Sequence, residues 1–90
     1  MIIGVPKEIK NHEHRVGLTP RSVKECVSNG HRVLVQTNAG AGIGASDDEY
    51  TACGAEIIST AARIFEAAEM IVKVKEPQAS EITMLREGQI

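Results

Sequence analysis

Two cations in this chain are spaced so that they could serve one small anion. Arg15 lies in a polar loop after a first apolar segment, and Lys75 follows the alternating run Val72-Lys73-Val74. A guanidinium grips a carboxylate through two parallel N–H bonds, while an ammonium offers a compact charge to a carbonyl or carboxylate oxygen. Together they suit a small keto or amino acid. On spacing alone, two solvated surface cations are the plainer reading. Lys73 shares a strand face with Lys75 by alternation. Mid-strand, it is expected to snorkel or pair with an acid rather than bind ligand. Glu8 and Glu13 are candidates to orient Arg15, as is Lys7 by repulsion, although each reads first as an ordinary loop charge.

The elements that must position these residues alternate in type. Residues 1–5 read as a first strand, followed by a polar loop from Pro6 to Leu18. Thr19 is a good N-cap with Pro20 in the first helical position, where a missing N–H costs nothing. Val23, Cys26 and Val27 make an apolar helical stripe that ends at Gly30, a C′ glycine. Arg32 to Gln36 is a second strand, leading into the glycine-rich stretch Asn38-Ala39-Gly40-Ala41-Gly42-Ile43-Gly44. Ser46-Asp47-Asp48-Glu49 is a capping box for a short helix closing at Gly54. Residues 55–58 form a third strand, and Ser59 or Thr60 caps an alanine-rich helix. Residues 70–75 form a fourth strand, ended by Pro77. Ser80 opens a last short helix stopped by Gly88, and Gln89-Ile90 looks like the beginning of a fifth strand. This order predicts an α/β fold, a mostly parallel sheet with flanking helices. It is expected to be the Rossmann-like or flavodoxin-like half of a truncated larger domain. In such sheets ligands lie outside the carboxyl ends of the strands, the edge where Arg15 and Lys75 are expected to meet.

Three other patterns invite chemistry and are read against it. Gly40-Ala41-Gly42-Ile43-Gly44-Ala45 formally matches the dinucleotide fingerprint G-x-G-x-x-A. In that fingerprint the glycine turn runs straight into the helix that holds the pyrophosphate. Here the helix has its own cap at Ser46, so a flexible or close-packing turn is expected and no residue is assigned to a cofactor. His12-Glu13-His14 lacks a third ligand cluster, and no metal is expected. Cys26 and Cys53 each fall within an apolar helical pattern and are expected to be buried, reduced thiols.

Composition narrows the function classes. The net charge is −2 with no basic run, which argues against nucleic acid. No apolar run approaches the roughly 20 residues needed to span a membrane. The opening Met1-Ile2-Ile3-Gly4 has no charged n-region, so a cytoplasmic protein is expected. At ninety residues, with 42% hydrophobic residues but only Tyr50 and Phe65 as aromatics, one aliphatic core is expected.

The segments Gly4-Val5-Pro6-Lys7-Glu8, Glu13-x-Arg15-Val16-x-x-Thr19-Pro20 and Val72-Lys73-Val74-Lys75-Glu76-Pro77 together resemble the N-terminal part of alanine dehydrogenase. That enzyme is similar in fold to the NAD-binding subunit of proton-translocating transhydrogenase, and the V-K-V-K-E-P run favours the former. The resemblance covers essentially the whole chain, including Gly30-His31, Ser46-Asp47 and Leu85-Arg86-Glu87-Gly88-Gln89. It implies that residues 1–90 are the first portion of a substrate domain, with Arg15 binding the substrate carboxylate. It implies that Lys75 contacts the substrate's carboxylate or carbonyl oxygen, the substrate being pyruvate or L-alanine. It further implies NAD bound by a later Rossmann domain, a catalytic His just past Ile90, and a homo-oligomer. His12 and Cys26 stand where similar enzymes have Asn and an aliphatic residue, so the hold of the loop on Arg15 is the property at issue. The ninety residues alone are expected to be inactive. The alternatives are a small-anion binding module, an association module using an uncovered sheet edge, and a transhydrogenase subunit portion.

Overall fold

The computed structural model of the chain describes residues 1–8 and 16–73. Arg15, Lys75, the His12-Glu13-His14 triplet, the end of the fourth strand, the helix from Ser80 and the expected fifth strand lie outside the described residues.

Capping begins and ends each helix. Thr19 Oγ1 accepts from the Ser22 N–H and Pro20 takes the first position, which opens α1 (Pro20–Ser28). Past its end, the Gly30 N–H donates to the Val27 carbonyl and the His31 N–H to the Cys26 carbonyl. Gly30 sits at φ 87, the left-handed conformation that this Schellman closure requires. α2 (Asp47–Ala52) is built alike, with Ser46 Oγ accepting from the Glu49 N–H. It ends on Gly54 at φ 99, with Gly54 bonded to Thr51 and Ala55 to Tyr50. This closure moves the start of the third strand. Ala55 spends its N–H on Tyr50, and β3 runs from Glu56 to Ile58 rather than from 55. α3 (Ala61–Ala67) is capped by Thr60, whose Oγ1 accepts from the Arg63 N–H.

The strands β1 (Ile2–Val5), β2 (Arg32–Gln36), β3 and β4 (Met70–Ile71) form one parallel sheet in the order β3-β2-β1-β4. β4 was expected over 70–75. Its regular pairing covers Met70 and Ile71, and the Val72 N–H continues the ladder to the Gly4 carbonyl at 3.0 Å. The chain first steps outward from β1 to β2 and β3, then crosses back to the other side of β1 to make β4. With right-handed crossovers this reversal puts α1 and α2 on one face and α3 on the other. The α1/α2 layer buries Val5, Val23, Val33, Val35 and Tyr50, while α3 and the residue after it contribute Ile64, Phe65 and Ala68, all with no exposed surface. The two aromatics therefore anchor different layers of an otherwise aliphatic core. Cys26 and Cys53 are free but only partly buried, packing at the margin of the α1/α2 core rather than inside it.

Arg32 and Glu56 bridge β2 and β3 through two N–H···O bonds of 2.9 and 3.0 Å. The hydrogen bond and charge of Arg32 hold the Glu56 carboxyl below its ordinary pKa. Because both side chains are about half exposed, the pair contributes little. Among the described residues no helix is long and apolar enough to cross a membrane.

Candidate functional site

The strand order reverses at β1: the chain leaves β1 for β2 on one side and reaches β4 on the other, which makes the carboxyl ends of β1 and β4 a crevice at a topological switch point. Open α/β sheets bind ligands at such switch points. Three segments converge there: residues 6–8 after β1, residues 16–19 before α1, and Val72-Lys73 after β4.

Residues 6–8 leave the end of β1 without leaving the protein. Pro6 is fully buried, and the Lys7 N–H donates to Gln36 Oε1 at 2.8 Å, which ties the segment to the end of β2. Glu8 then turns toward β4. Its Oε1 lies 3.2 Å from Lys73 Nζ, and the two side chains are only 2% and 6% exposed. This ion pair is the chemical centre of the described crevice. Lys73 thus pairs with an acid, as its place in the valine alternation suggests. The burial of Glu8 was not foreseen, since a loop glutamate reads as solvated; its position two residues after a buried proline is the one local signal.

Residues 16–19 are held at successive positions. Val16 is buried in the α1/α2 core. Gly17 lies so close to Val72 that a Cβ would overlap the Val72 carbonyl oxygen. The Leu18 carbonyl accepts from the Tyr50 hydroxyl at 2.8 Å, and Thr19 begins α1. Gly17→Ala is expected to cost about 1–3 kcal/mol through overpacking against backbone, measured by urea unfolding. Tyr50→Phe removes the bond to Leu18 and is expected to cost about 1 kcal/mol. Burial, and secondarily the charge of Glu49, push the Tyr50 phenol up. The folded chain therefore holds this proton more tightly than the unfolded one. The resulting stability is present below the ordinary phenol range, about pH 10, and is lost as pH rises through the raised value. Tyr50→Phe should lack this alkaline loss.

The glycine-rich turn at the end of β2 has a packing explanation. A Cβ at Gly40 would sit 2.6 Å from Cε2 of the buried Tyr50 ring, so the turn needs glycine there to admit the ring. After a 3-10 turn (Ala41–Ile43), Ser46 caps α2 separately. The first turn of α2 carries Asp47, Asp48 and Glu49. Asp47 already accepts from Thr37 Oγ1 at 2.6 Å and from the Asn38 N–H at 2.9 Å. Three carboxylates at the helix start that follows the glycine turn repel a pyrophosphate, so these residues do not fit a dinucleotide. Among the described residues no group of three or more His, Cys, Asp or Glu is arranged to hold a metal ion.

Comparison with known proteins agrees with this topology. Residues 4–90 match the family model described as alanine dehydrogenase/PNT, N-terminal domain. The chain is 54% identical over 90 residues to an alanine dehydrogenase of Methanococcus maripaludis, covering all of this chain and 24% of the relative. It is 54% identical over 88 residues to that of Bacillus subtilis, covering 98% of this chain and 23% of the relative. A solved L-alanine dehydrogenase superposes with a TM-score of 0.92 at 48% identity, over 96% of this chain and 24% of that one. A transhydrogenase from Sinorhizobium meliloti superposes at 0.89 and 36% identity, over 98% of this chain and 26% of that one. The chain thus spans about a quarter of the length of the relatives it matches. With the motif segments, the sheet order and the matched residues in agreement, the chain belongs to the alanine dehydrogenase/PNT N-terminal domain family.

Proposed function

We propose that this chain is the substrate-binding portion of an NAD-dependent alanine dehydrogenase, a cytoplasmic homo-oligomer. The reaction of the whole protein would be L-alanine, NAD⁺ and water to pyruvate, ammonium, NADH and a proton. Arg15 binds the substrate carboxylate, and Lys75 binds its carboxylate or carbonyl oxygen, drawing electron density from the carbon that changes oxidation state. NAD is held by chain outside residues 1–90, in keeping with the misfit of the glycine turn, and no proton-transfer residue is assigned here. Positioning by itself supplies neither hydride acceptor nor proton shuttle. The ninety residues alone are therefore inactive.

The observation that carries this reading is the contact between the neighbours of the two cations. Gly17, two residues after Arg15, lies against Val72, and Lys73, two residues before Lys75, is bonded to Glu8. The higher identity to alanine dehydrogenases than to the transhydrogenase favours alanine as the substrate. The test is to read the coding sequence past the Ile90 codon, express all that continues in frame, and follow NADH oxidation with pyruvate and ammonium. Turnover by that product, with none from residues 1–90 alone, is the expected result. A folded product without turnover would refute the assignment.

A further inference from the structure

We propose that Glu8 and Lys73 are positioning residues for the anion site, a charged clasp that sets the spacing between the segments leading to Arg15 and Lys75. The inference rests on the function proposed above and adds residues that do not themselves touch substrate.

Their placement supports the role. Glu8 follows β1 and Lys73 follows β4, so their 3.2 Å contact spans the switch-point crevice. It is nearly closed to solvent. On the same stretch of backbone, Gly17 packs against Val72. The segment leading to Lys75 is thereby held by residues that precede and follow Arg15 in sequence. Lys73 is two residues before Lys75 in sequence, so a shift of Lys73 displaces the segment that leads to Lys75.

The chemistry of the pair supports it as well. Stability does not require charge here, because well-packed apolar residues of similar volume commonly match or exceed a buried ion pair. Apolar side chains slide past one another at little cost, whereas an ammonium–carboxylate contact has a preferred length and direction. Binding constellations need their members held to within about 0.5 Å.

The test uses the chain together with any coding sequence that continues past Ile90. Glu8→Gln, Lys73→Met and the double apolar variant Glu8→Met/Lys73→Met are compared for thermal stability and for the KM values of pyruvate and NADH. Glu8→Gln is expected to raise the pyruvate KM at least tenfold and leave that for NADH unchanged. The double variant is expected to recover the stability that Lys73→Met loses, while its pyruvate KM stays at least tenfold raised. A misplacement of about 1 Å carries a penalty of up to a hundredfold. Recovery of stability and pyruvate KM together in the double variant would overturn the inference and leave the pair a purely structural contact. So would a folded Glu8→Gln protein with the wild-type pyruvate KM, even if the double variant does not fold. Loss of the functional reading gives a different result, a folded wild type without turnover.

Discussion

Arg15→Ala is expected to weaken pyruvate binding by at least about 25-fold. A bidentate guanidinium–carboxylate bond cannot be replaced by water without loss, and truncating one member of such a pair costs about 2–5 kcal/mol. Each 1.4 kcal/mol corresponds to a factor of ten. Titration calorimetry of wild type and variant, in the chain with any coding sequence that continues past Ile90, measures the difference. Arg15→Lys should recover only part of it, because an ammonium lacks the planar fork. Arg63→Ala, which removes an exposed cation from α3, should change nothing. Equal losses from Arg15→Ala and Arg63→Ala would mean that general charge attraction, not a site, holds the anion. Raising the salt would then abolish both, since exposed charges are screened within about 8 Å at physiological ionic strength.

The largest effect on stability is expected at Lys73. Lys73→Met removes the cation and leaves the carboxylate of Glu8 in a region almost closed to water. Breaking a buried pair in this way costs about 3–5 kcal/mol. A domain of this size has only about 5–13 kcal/mol in total, so the variant loses a large share of its margin. At roughly 4–8 °C per kcal/mol, the melting temperature should fall by more than about 12 °C. Lys24→Met, an exposed change on α1, provides the comparison and should lie within about 0.5 kcal/mol of wild type. A Lys73→Met protein as stable as Lys24→Met would mean that water or a rearranged side chain reaches Glu8 readily.

Features determined within a few residues were legible in the sequence. Thr19 with Pro20, Gly30, Ser46 and Gly54 mark helix ends through bonds made in their own turn, and each occurs where the pattern puts it. The alternation of valine and lysine marked Lys73 as a residue that snorkels or pairs with an acid, and the second alternative is the one observed. The identity of that acid was not legible, because the partner is 65 residues away in sequence. The same holds for Tyr50, whose hydroxyl crosses 32 residues to Leu18, and for Gly17, whose need for glycine lies in Val72. The glycine-rich turn shows how a short pattern misleads. Its spacing satisfies a nucleotide fingerprint, yet Gly40 answers to a tyrosine ring on the next helix. Membership of the family, carried by three motif segments together, was legible throughout.

The reversal of strand order also determines when the crevice can exist. Contacts between β1 and β2 close quickly, as in the bond from Lys7 to Gln36 across 29 residues. The crevice depends on contacts such as Ile2 to Glu69, across 67 residues, and Glu8 to Lys73. On a ribosome, which releases the amino end first, β1, β2 and β3 can assemble while β4 is still inside the exit tunnel. During that interval β1 is an unpaired edge, open to strands of neighbouring nascent chains. The arrival of β4 covers that edge and brings Lys73 to Glu8 in the same event. The growing chain thus acquires its binding crevice at the moment its first strand is covered.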